Sequence, residues 1–523
     1  MPYLFLYILA IAEGMSVLAI EIAGARGVAI YYGNSLQVWS GVIGITICGM
    51  AAGYYTGGYL SAGHKKENSL FTFALIASLY TALIPGWGDL ILKMTMILGY
   101  RTGAILSTLL VIFPGMALLG AIPPLIISCI SDGSPEKTGK TTGIVFTLST
   151  TGGIASALLT GFFLIPSAGI RNTFYLIALL LIIFPVTWFF TRKTIISIIG
   201  SAIFLVLVLT GIIGMGLKHK SHIIIRHKSD GLLGQMIVAD DNNTQRRSML
   251  VNSISQTYMH IPTGRSQWRY VYRLALYLSY KPAGSRVLVC GIGGGNLIRE
   301  LHRTGFAVDA VDIDPRTGKL AREFFGMEDT TVVYIDDARH YIRRCEKKYD
   351  IVILDLSLGE VQPSNIYTAE CFSEIKKMLL PEGVIIIHYL NSIAGEDAIA
   401  VKSIGNTLLS AGFETKLINT DRVTKDGKKM NWEIPAEVMF FASNNPVDLN
   451  GFEFARRDTF VDPFNFPVLR NIFIENYDFS DGIVLTDDKP VMDIIHANTL
   501  ESTRQSSLNE LIPILIREKV KLL

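Results

Sequence analysis

The chain has 523 residues, 50% of them hydrophobic, and its mean hydropathy is +0.38. This composition is too apolar for an ordinary soluble protein of that length and excludes a wholly soluble class. The formal charge of +2 favours neither nucleic-acid binding nor a patch for acidic lipids. The cysteines have neither metal-ligand spacing nor a paired framework, so we expect reduced core thiols and no metal; they are Cys48, Cys129, Cys290, Cys345 and Cys371.

Long apolar segments separated by short polar breaks make up residues 4–217. Each segment is close to the roughly 20 residues that a helix needs to cross a bilayer. We therefore predict an α-helical membrane domain at residues 1–217 with about seven transmembrane helices. The first begins almost at Met1 without a preceding basic region, so we expect it to be retained rather than cleaved. The predicted spans are Leu4–Tyr31, Val38–Ser61, Leu70–Leu92, Gly103–Ile130, Thr142–Pro166, Asn172–Phe190 and Thr194–Leu217.

Glycines recur at every fourth residue of the second span, at Gly49, Gly53 and Gly57. This spacing puts them on one face of a helix, where small residues let a second helix approach closely. The pattern therefore predicts tight helix packing in the membrane domain.

Ionisable residues lie within the first span, at Glu13, Glu21 and Arg26. Charged groups at membrane depth are costly unless they are paired or face an aqueous cavity. Two interpretations stay open, a functional site in the membrane domain and internal pairing near an interface.

Basic residues between the spans bear on orientation. Residues 64–66 fall on one side of the predicted membrane, and Lys93, Arg101, Arg171 and residues 218–228 fall on the other. The larger basic group favours a cytoplasmic C-terminal domain. We expect an integral protein of a bacterial or archaeal inner (cell) membrane.

A change to mixed polar and apolar sequence marks the soluble part. Residues 218–280 read as a linker and a small β-rich subdomain, with strands near 235–239 and 247–251 and a helix at 267–278. Residues 281–523 alternate between strand and helix patterns, which predicts a doubly wound, Rossmann-like α/β domain of methyltransferase type.

A glycine-rich turn follows the first strand of this domain. Arg286–Cys290 is an apolar strand and Asn296–Arg303 has helical composition. Between them stand Gly291, Gly293, Gly294 and Gly295, which let the backbone approach a ligand closely. The turn predicts a nucleoside site, although a dinucleotide site would use the same geometry.

Acidic residues stand at the ends of three successive strands: Asp312, then Asp336 and Asp337, then Asp355. In an open parallel sheet, such strand ends line the ligand crevice. Asp312, followed by Ile313, is expected to bind the ribose hydroxyls, and Asp337 with Ala338 to bracket the adenine. Carboxylates would repel a pyrophosphate but favour a cation, so a sulfonium nucleoside fits better than NAD.

Five motifs are similar to those of the spermidine synthase (polyamine aminopropyltransferase) family. They are GIGGGNLIRE, VDIDP, IDDARHYI, YDIVILDLS and IYTAECFSEIKKMLLPEGVIII. The spans around EIAGARGVAIYYGNSLQVWSG and the later segment LTDDKPVMD resemble the membrane-embedded branch of that family.

The resemblance implies a reaction and its residues. Asp355 matches the general base, with Tyr270 lining the amine site, and Ser357, Leu358 and Tyr367 fall on substrate-binding positions. The donor would be decarboxylated S-adenosylmethionine or S-adenosylmethionine, with no metal. An alkylamine group would pass to an amine acceptor and release 5′-methylthioadenosine.

Two departures from the family pattern keep alternatives open. Gly294 and Leu358 stand where the family usually has aspartates that contact cationic amines. One alternative is S-adenosylmethionine-dependent methyl or aminocarboxypropyl transfer to a lipid-like substrate. Another is a polyamine transporter or sensor with a non-catalytic nucleoside-binding domain. The expected partners are an amine or lipid-like acceptor and the bilayer, without nucleic acid; a homodimer is compatible with these expectations.

Overall fold

The structure is a computed structural model that describes residues 2–131, 135–193, 195–216, 222–357, 362–419, 431–449, 473–489 and 491–517. Two compact units make up the chain. The first comprises the described residues within Met1–His222, His227–Met236 and Ser507–Leu523. The second comprises those within Ile223–Arg226 and Ile237–Ser506.

The N-terminal part of the first unit is helical. Its sequence is rich in residues that favour helices in lipid, where each backbone polar group must find a partner within its own segment. The helices are α1 (Tyr3–Tyr32), α2 (Leu36–Ser61), α3 (Lys66–Thr95), α4 (Tyr100–Val111), α5 (Phe113–Gly120), α6 (Ile122–Ser131), α7 (Pro135–Leu159), α8 (Ile165–Thr191) and α9 (Ile195–Gly216).

Five helical segments of the described chain are long and apolar enough to cross a membrane, so the predicted count of about seven spans is not confirmed. The fifth and sixth predicted spans lie within one helical stretch, Lys137–Thr191. Only Gly169, with φ 81°, interrupts the helical backbone of α8 there. The last predicted span overlaps α9, a helix of 22 residues.

The glycine stripe of α2 packs as predicted. A Cβ at Gly53 would overlap the carbonyl oxygen of Ala117, and one at Gly57 would overlap that of Ala121. A Cβ at Gly49 would lie 2.8 Å from the Cβ of Met116. The close approach of α2 to α5 and the start of α6 therefore requires the absence of side chains.

Two of the ionisable residues in α1 have partners inside the first unit. Glu13 is 1% exposed and accepts a 2.7 Å hydrogen bond from the hydroxyl of Ser149 on α7. Arg26 donates to the carbonyl oxygen of Leu232 at 2.6 Å. Both contacts are internal, but Oε1 of Glu13 is buried without a hydrogen-bond partner among the described residues, so both interpretations stay open.

Five strands form a small sheet in the order β1-β2-β3-β4-β5. Thr257 on its strand β4 contacts Gly294. The strands are β1 (Ile223–Gly231), β2 (Gly234–Asp241), β3 (Arg246–Val251), β4 (Ile254–His260) and β5 (Arg265–Ser266), and α10 (Arg269–Leu278) follows them.

An eight-stranded sheet in the order β13-β11-β12-β10-β9-β6-β7-β8 forms the centre of the second unit. Neighbours from β10 to β8 pair in parallel, and β12 pairs antiparallel with both β10 and β11. The strands are β6 (Arg286–Cys290), β7 (Ala307–Asp312), β8 (Val332–Ile335), β9 (Tyr349–Leu354), β10 (Leu379–Asn391), β11 (Glu414–Ile418), β12 (Ala436–Ser443) and β13 (Phe473–Ile474).

Helices cover both faces of this sheet, which gives the Rossmann-like methyltransferase fold. One core contains side chains of α13, α14 and α15, and the other contains those of α10, α11 and α12. The helices are α11 (Asn296–Arg303), α12 (Pro315–Phe325), α13 (Ala338–Arg344), α14 (Ala369–Met378), α15 (Ile399–Ser410), α16 (Met492–Ile495) and α17 (Ala497–Arg517).

The strand order reverses direction between β6 and β9, because the chain continues from β6 to β7 and β8 on one side and returns to β9 and β10 on the other. Cys290 pairs with Leu354, and Leu354 pairs with Ile387. The residues that follow these positions in the three strands therefore meet at one edge, where open α/β sheets bind ligands.

The five cysteines are free. Cys290 and Cys371 are buried, as expected of core thiols. Cys48 is exposed on α2, so the expectation of a core position is wrong for that residue.

Candidate active site

Positive backbone angles shape the glycine turn between β6 and α11. Gly291, Gly293 and Gly295 have φ values of 96°, 51° and 73°, which L side chains rarely adopt. A Cβ at Gly291 would also overlap the carbonyl oxygen of Asp355. The turn and the loop after β9 therefore lie in contact, and α11 begins at the base of the crevice.

Gly294 has a different reason to be glycine, because its φ is not positive. Its N–H donates to the hydroxyl of Thr257 at 2.8 Å. A Cβ at position 294 would lie 2.6 Å from the Thr257 Cγ2. Thr257 on β4 is 4% exposed and fills the space that an acidic side chain at position 294 would need.

Asp312 ties the turn to the end of β7. Its carboxylate accepts hydrogen bonds from the N–H of Ile292 at 3.0 Å and from the N–H of Asp314 at 2.9 Å. Burial raises the pKa of Asp312, and these backbone donors oppose the shift. A carboxylate offers about four acceptor sites, and the side chain of Thr317 also hydrogen-bonds Asp312, so one site remains for a ribose hydroxyl. Ile313 beside it is 47% exposed and offers an apolar surface.

The acidic pair after β8 is engaged with α13. Asp337 is its N-cap, and its side chain accepts from the N–H of His340 at 3.0 Å. Asp336 lies 2.8 Å from Nδ1 of His340 and accepts from the N–H of Asp337 at 2.9 Å. Ala338 is buried at the first turn of the helix. The predicted adenine contacts thus come from a capped helix start.

Asp355 stands at the end of β9 with both oxygens occupied. The hydroxyl of Tyr270 donates to Oδ2 at 2.9 Å, and Nδ1 of His388 lies 2.8 Å from Oδ1. The rings of Tyr270 and His388 stack with centroids 4.0 Å apart. Burial and the charge of Asp355 raise the pKa of Tyr270 well above its ordinary value, so its hydroxyl stays a donor.

Further charged groups surround this cluster. Glu437 on β12 pairs with Leu390, which puts it on the same sheet face as His388. Burial raises the pKa of Glu437, while the positive charges of His388 and Arg273 lower it. Burial lowers the pKa of His388, but Asp355 and Glu437 outweigh it, so the pKa lies above its ordinary value.

The predicted substrate-binding residues lie in different environments. Ser357 donates to Oε1 of Gln256 at 2.8 Å, which joins the loop after β9 to β4. Tyr367 is fully buried, and its ring packs edge to face against Tyr389 with centroids 5.6 Å apart. Leu358 lies outside the described residues.

Sequence reasoning missed four residues of this site: His388, Glu437, Gln256 and Thr257. His388 carried a usable signal, since it is a polar residue that interrupts the apolar run of β10. The other three come from strands distant in sequence, and no local pattern marks them. The register of β10 and β12 puts Glu437 near His388, and the approach of β4 to the glycine turn puts Gln256 and Thr257 beside it.

Comparisons with known proteins match the part of the chain that contains most of this site. The spermine/spermidine synthase domain matches residues 274–414. A polyamine aminopropyltransferase from Vibrio vulnificus is 33% identical over 130 residues, which cover 23% of this chain and 43% of the relative. An N-terminal histidine N-methyltransferase from Emericella nidulans is 32% identical over 117 residues, 21% of each chain. The chain thus spans less than half the length of either relative.

The chain is also similar to solved structures. The crystal structure of a probable spermidine synthase from Corynebacterium glutamicum aligns with a TM-score of 0.36 at 15% identity. The alignment covers 44% of this chain and 82% of that one.

Proposed function

We propose that this chain is an integral-membrane transferase that moves an alkylamine group from decarboxylated S-adenosylmethionine to an amine. Its C-terminal half matches the spermine/spermidine synthase domain. The observation that carries the proposal is Asp355, held by Tyr270 and His388 at the end of β9 and in contact with the glycine turn. A carboxylate fixed beside a nucleoside turn is suited to orient a cationic amine.

Donor binding is assigned to the turn and the acidic strand ends. Gly291, Gly293, Gly294 and Gly295 would support the sugar and the sulfonium tail, and Asp312 would accept the ribose hydroxyls. Asp336, Asp337 and Ala338 would lie along the adenine, with Ile313 packing against it. The remaining acceptor site of Asp312 supports this assignment.

The acceptor must lose a proton before it can attack. An alkylamine has a pKa near that of lysine, about 10.4, so it reaches the site as an ammonium ion. Asp355 attracts and orients this cation, and proton removal exposes the nitrogen lone pair. The lone pair attacks the methylene beside the positive sulfur, and 5′-methylthioadenosine leaves as a neutral thioether.

The membrane unit supports an acceptor with an apolar body. Five helical segments in the described chain are apolar enough to cross a bilayer. Gly294 removes one carboxylate that would bind a second amino group of a soluble diamine. We therefore propose an amine delivered from the bilayer, with the C-terminal domain in the cytoplasm where sulfonium nucleosides are made.

The Gly294–Thr257 contact favours a second candidate, transfer of a methyl or aminocarboxypropyl group from intact S-adenosylmethionine. A threonine hydroxyl does not repel the carboxylate that the intact donor carries, whereas an aspartate would. Likeness to a histidine N-methyltransferase is compatible with it. Incubation with each donor, followed by mass spectrometry of the product, separates the two because each transferred group has its own mass.

Asp355→Asn in the detergent-purified full-length chain tests the leading proposal. We expect release of methylthioadenosine with putrescine or dodecylamine as acceptor to fall by about 100-fold or more. Calorimetry should give affinities for methylthioadenosine within about threefold of the wild type, because the ribose and adenine contacts remain. Asp481→Asn changes an exposed aspartate paired with Lys402 and serves as the matched control.

Two outcomes would contradict the proposal. A wild-type chain that binds neither methylthioadenosine nor either donor at millimolar concentration has no nucleoside site. An Asp355→Asn chain that turns over like the Asp481→Asn control has its chemistry elsewhere.

A further inference from the structure

His388 occupies a defined position beside Asp355. The parallel register of β9 and β10 ends with Leu354 paired to Ile387, so Asp355 and His388 are the next residues of the two strands. Stacking on Tyr270, with an interplanar angle of 13°, fixes the ring plane. The imidazole therefore has one orientation, with Nδ1 toward Asp355 at 2.8 Å.

This orientation determines which nitrogen carries the proton. An ionised carboxylate accepts hydrogen bonds only, so Nδ1 of His388 must be the N–H that donates to Asp355. In the neutral ring the lone pair is then on Nε2. The same arrangement, a carboxylate behind an imidazole whose other nitrogen takes a proton, recurs in hydrolytic triads.

Nε2 of His388 is a buried acceptor without a hydrogen-bond partner in the described part of the chain. An unsatisfied buried polar atom costs about 1–3 kcal/mol, and such atoms in native structures call for an explanation by function or by a bound molecule. The side chain is only 15% exposed, so bulk water does not account for its position. A donor group on a ligand would satisfy it.

We infer that Nε2 of His388 receives the proton of the acceptor amine, with Asp355 and Tyr270 as the groups that orient the imidazole. The inference rests on the proposed transfer reaction and names the proton acceptor within it. It also gives Asp355 a different role, since both of its oxygens already accept hydrogen bonds from these neighbours.

The step balances in atoms and charge. The ammonium ion of the acceptor gives one proton to Nε2, which leaves a neutral amine and an imidazolium paired with the carboxylate of Asp355. The amine lone pair then forms the new C–N bond while the C–S bond breaks toward sulfur. The products are a secondary ammonium ion and a neutral thioether, and the imidazolium returns its proton to solvent.

Charged groups of three elements set the pH at which this step works. Asp355 follows β9, and Glu437 belongs to β12. Helix α10 contributes the neutral hydroxyl of Tyr270 and the charges of Arg273 and, beside Glu437, Arg269. The net effect keeps the pKa of His388 above its ordinary value near 6.5. A proton acceptor must be neutral, so activity is expected to fall as pH decreases through this raised pKa.

His388→Asn tests the inference on the full-length chain. The asparagine amide can still donate to Asp355 from near the place of Nδ1, but it has no atom in place of Nε2. We expect kcat with decarboxylated S-adenosylmethionine and dodecylamine to fall by about 100-fold or more, and the acidic limb of the pH–rate profile to disappear. His260→Asn, in a half-buried histidine at the end of β4 that contacts Thr263, is the matched control.

The outcomes separate the inference from the proposed function. A wild-type chain that neither binds nor turns over the donor ends both. A His388→Asn chain that binds methylthioadenosine and keeps a third or more of kcat, or that retains the wild-type acidic limb, overturns the inference alone. Should His388→Asn fail to fold, His388→Gln is judged by the same two measurements.

Discussion

The contact between Gly294 and Thr257 distinguishes this glycine turn from the family pattern, which usually has an aspartate at the position of Gly294. The hydroxyl of Thr257 accepts from the N–H of Gly294, and its Cγ2 occupies the position that a side chain at 294 would take. The glycine therefore reflects a neighbouring side chain rather than a backbone requirement. An acidic residue at 294 becomes compatible with the turn once Thr257 is made smaller.

This pair allows a prediction on donor choice. Gly294→Asp alone should destabilise the protein by about 1–3 kcal/mol through overpacking. In combination with Thr257→Ala, the aspartate can form a charged hydrogen bond with the donor amine, worth about 1.5–3 kcal/mol. We expect kcat/KM for decarboxylated over intact S-adenosylmethionine to rise by about tenfold or more relative to Thr257→Ala. Equal ratios in the double and single variants would contradict this.

The role of Asp355 depends on its neighbours Tyr270 and His388. The sequence-based role of Asp355 as general base stays a prediction, as do the nucleoside contacts of the glycine turn. The structure adds that the carboxylate has donors on both oxygens. A measured pH–rate profile is thus more informative about His388 than about Asp355.

At the scale of elements, the segment after β13 is held by Arg339 and Arg343 of α13, which both bind Asp487. Arg339 on α13 donates to both oxygens of Asp487, at 3.1 and 2.9 Å. Thr368, the N-cap of α14, donates to the same carboxylate at 2.7 Å. Asp487 of this segment therefore joins the starts of two helices.

The packing of α2 gives a prediction for the first unit. Gly53→Val should lower the thermal unfolding temperature of the detergent-solubilised chain, because its side chain would overlap Ala117 and Gly120. Gly58→Val is the matched control on the same helix, since a Cβ there meets no atom within 4 Å. Overpacking of this kind costs about 1–3 kcal/mol. Equal unfolding temperatures for the two variants would show that the stripe does not form a contact.

At the scale of the whole molecule, orientation can be tested directly. With the C-terminal domain in the cytoplasm, a fluorescent protein fused after Leu523 should be fluorescent, and alkaline phosphatase at the same position should be inactive. A fusion truncated after Gly63 should give the reverse result, because residues 64–66 lie on the opposite predicted face. Matching reporters at both positions would contradict the predicted orientation.

Much of the second unit was predictable because its signals are local. Strand β6 and helix α11 begin and end where the sequence pattern predicted. Buried parallel strands appear as short apolar runs, and glycines with positive φ mark turns. The number of spans was not predictable in the same way, since the polar residues around Gly169 predict a boundary between two spans, whereas the structure has one helical stretch there, Lys137–Thr191.

The sequence by itself determined the two-part organisation, the glycine-rich turn after β6 and the order of acidic strand ends, because each depends on residues close together in the chain. Only the tertiary structure decided what stands beside them. Strand register brings His388 and Glu437 to Asp355, and the approach of β4 puts Thr257 against Gly294. These contacts join residues far apart in sequence, so no local pattern contains them.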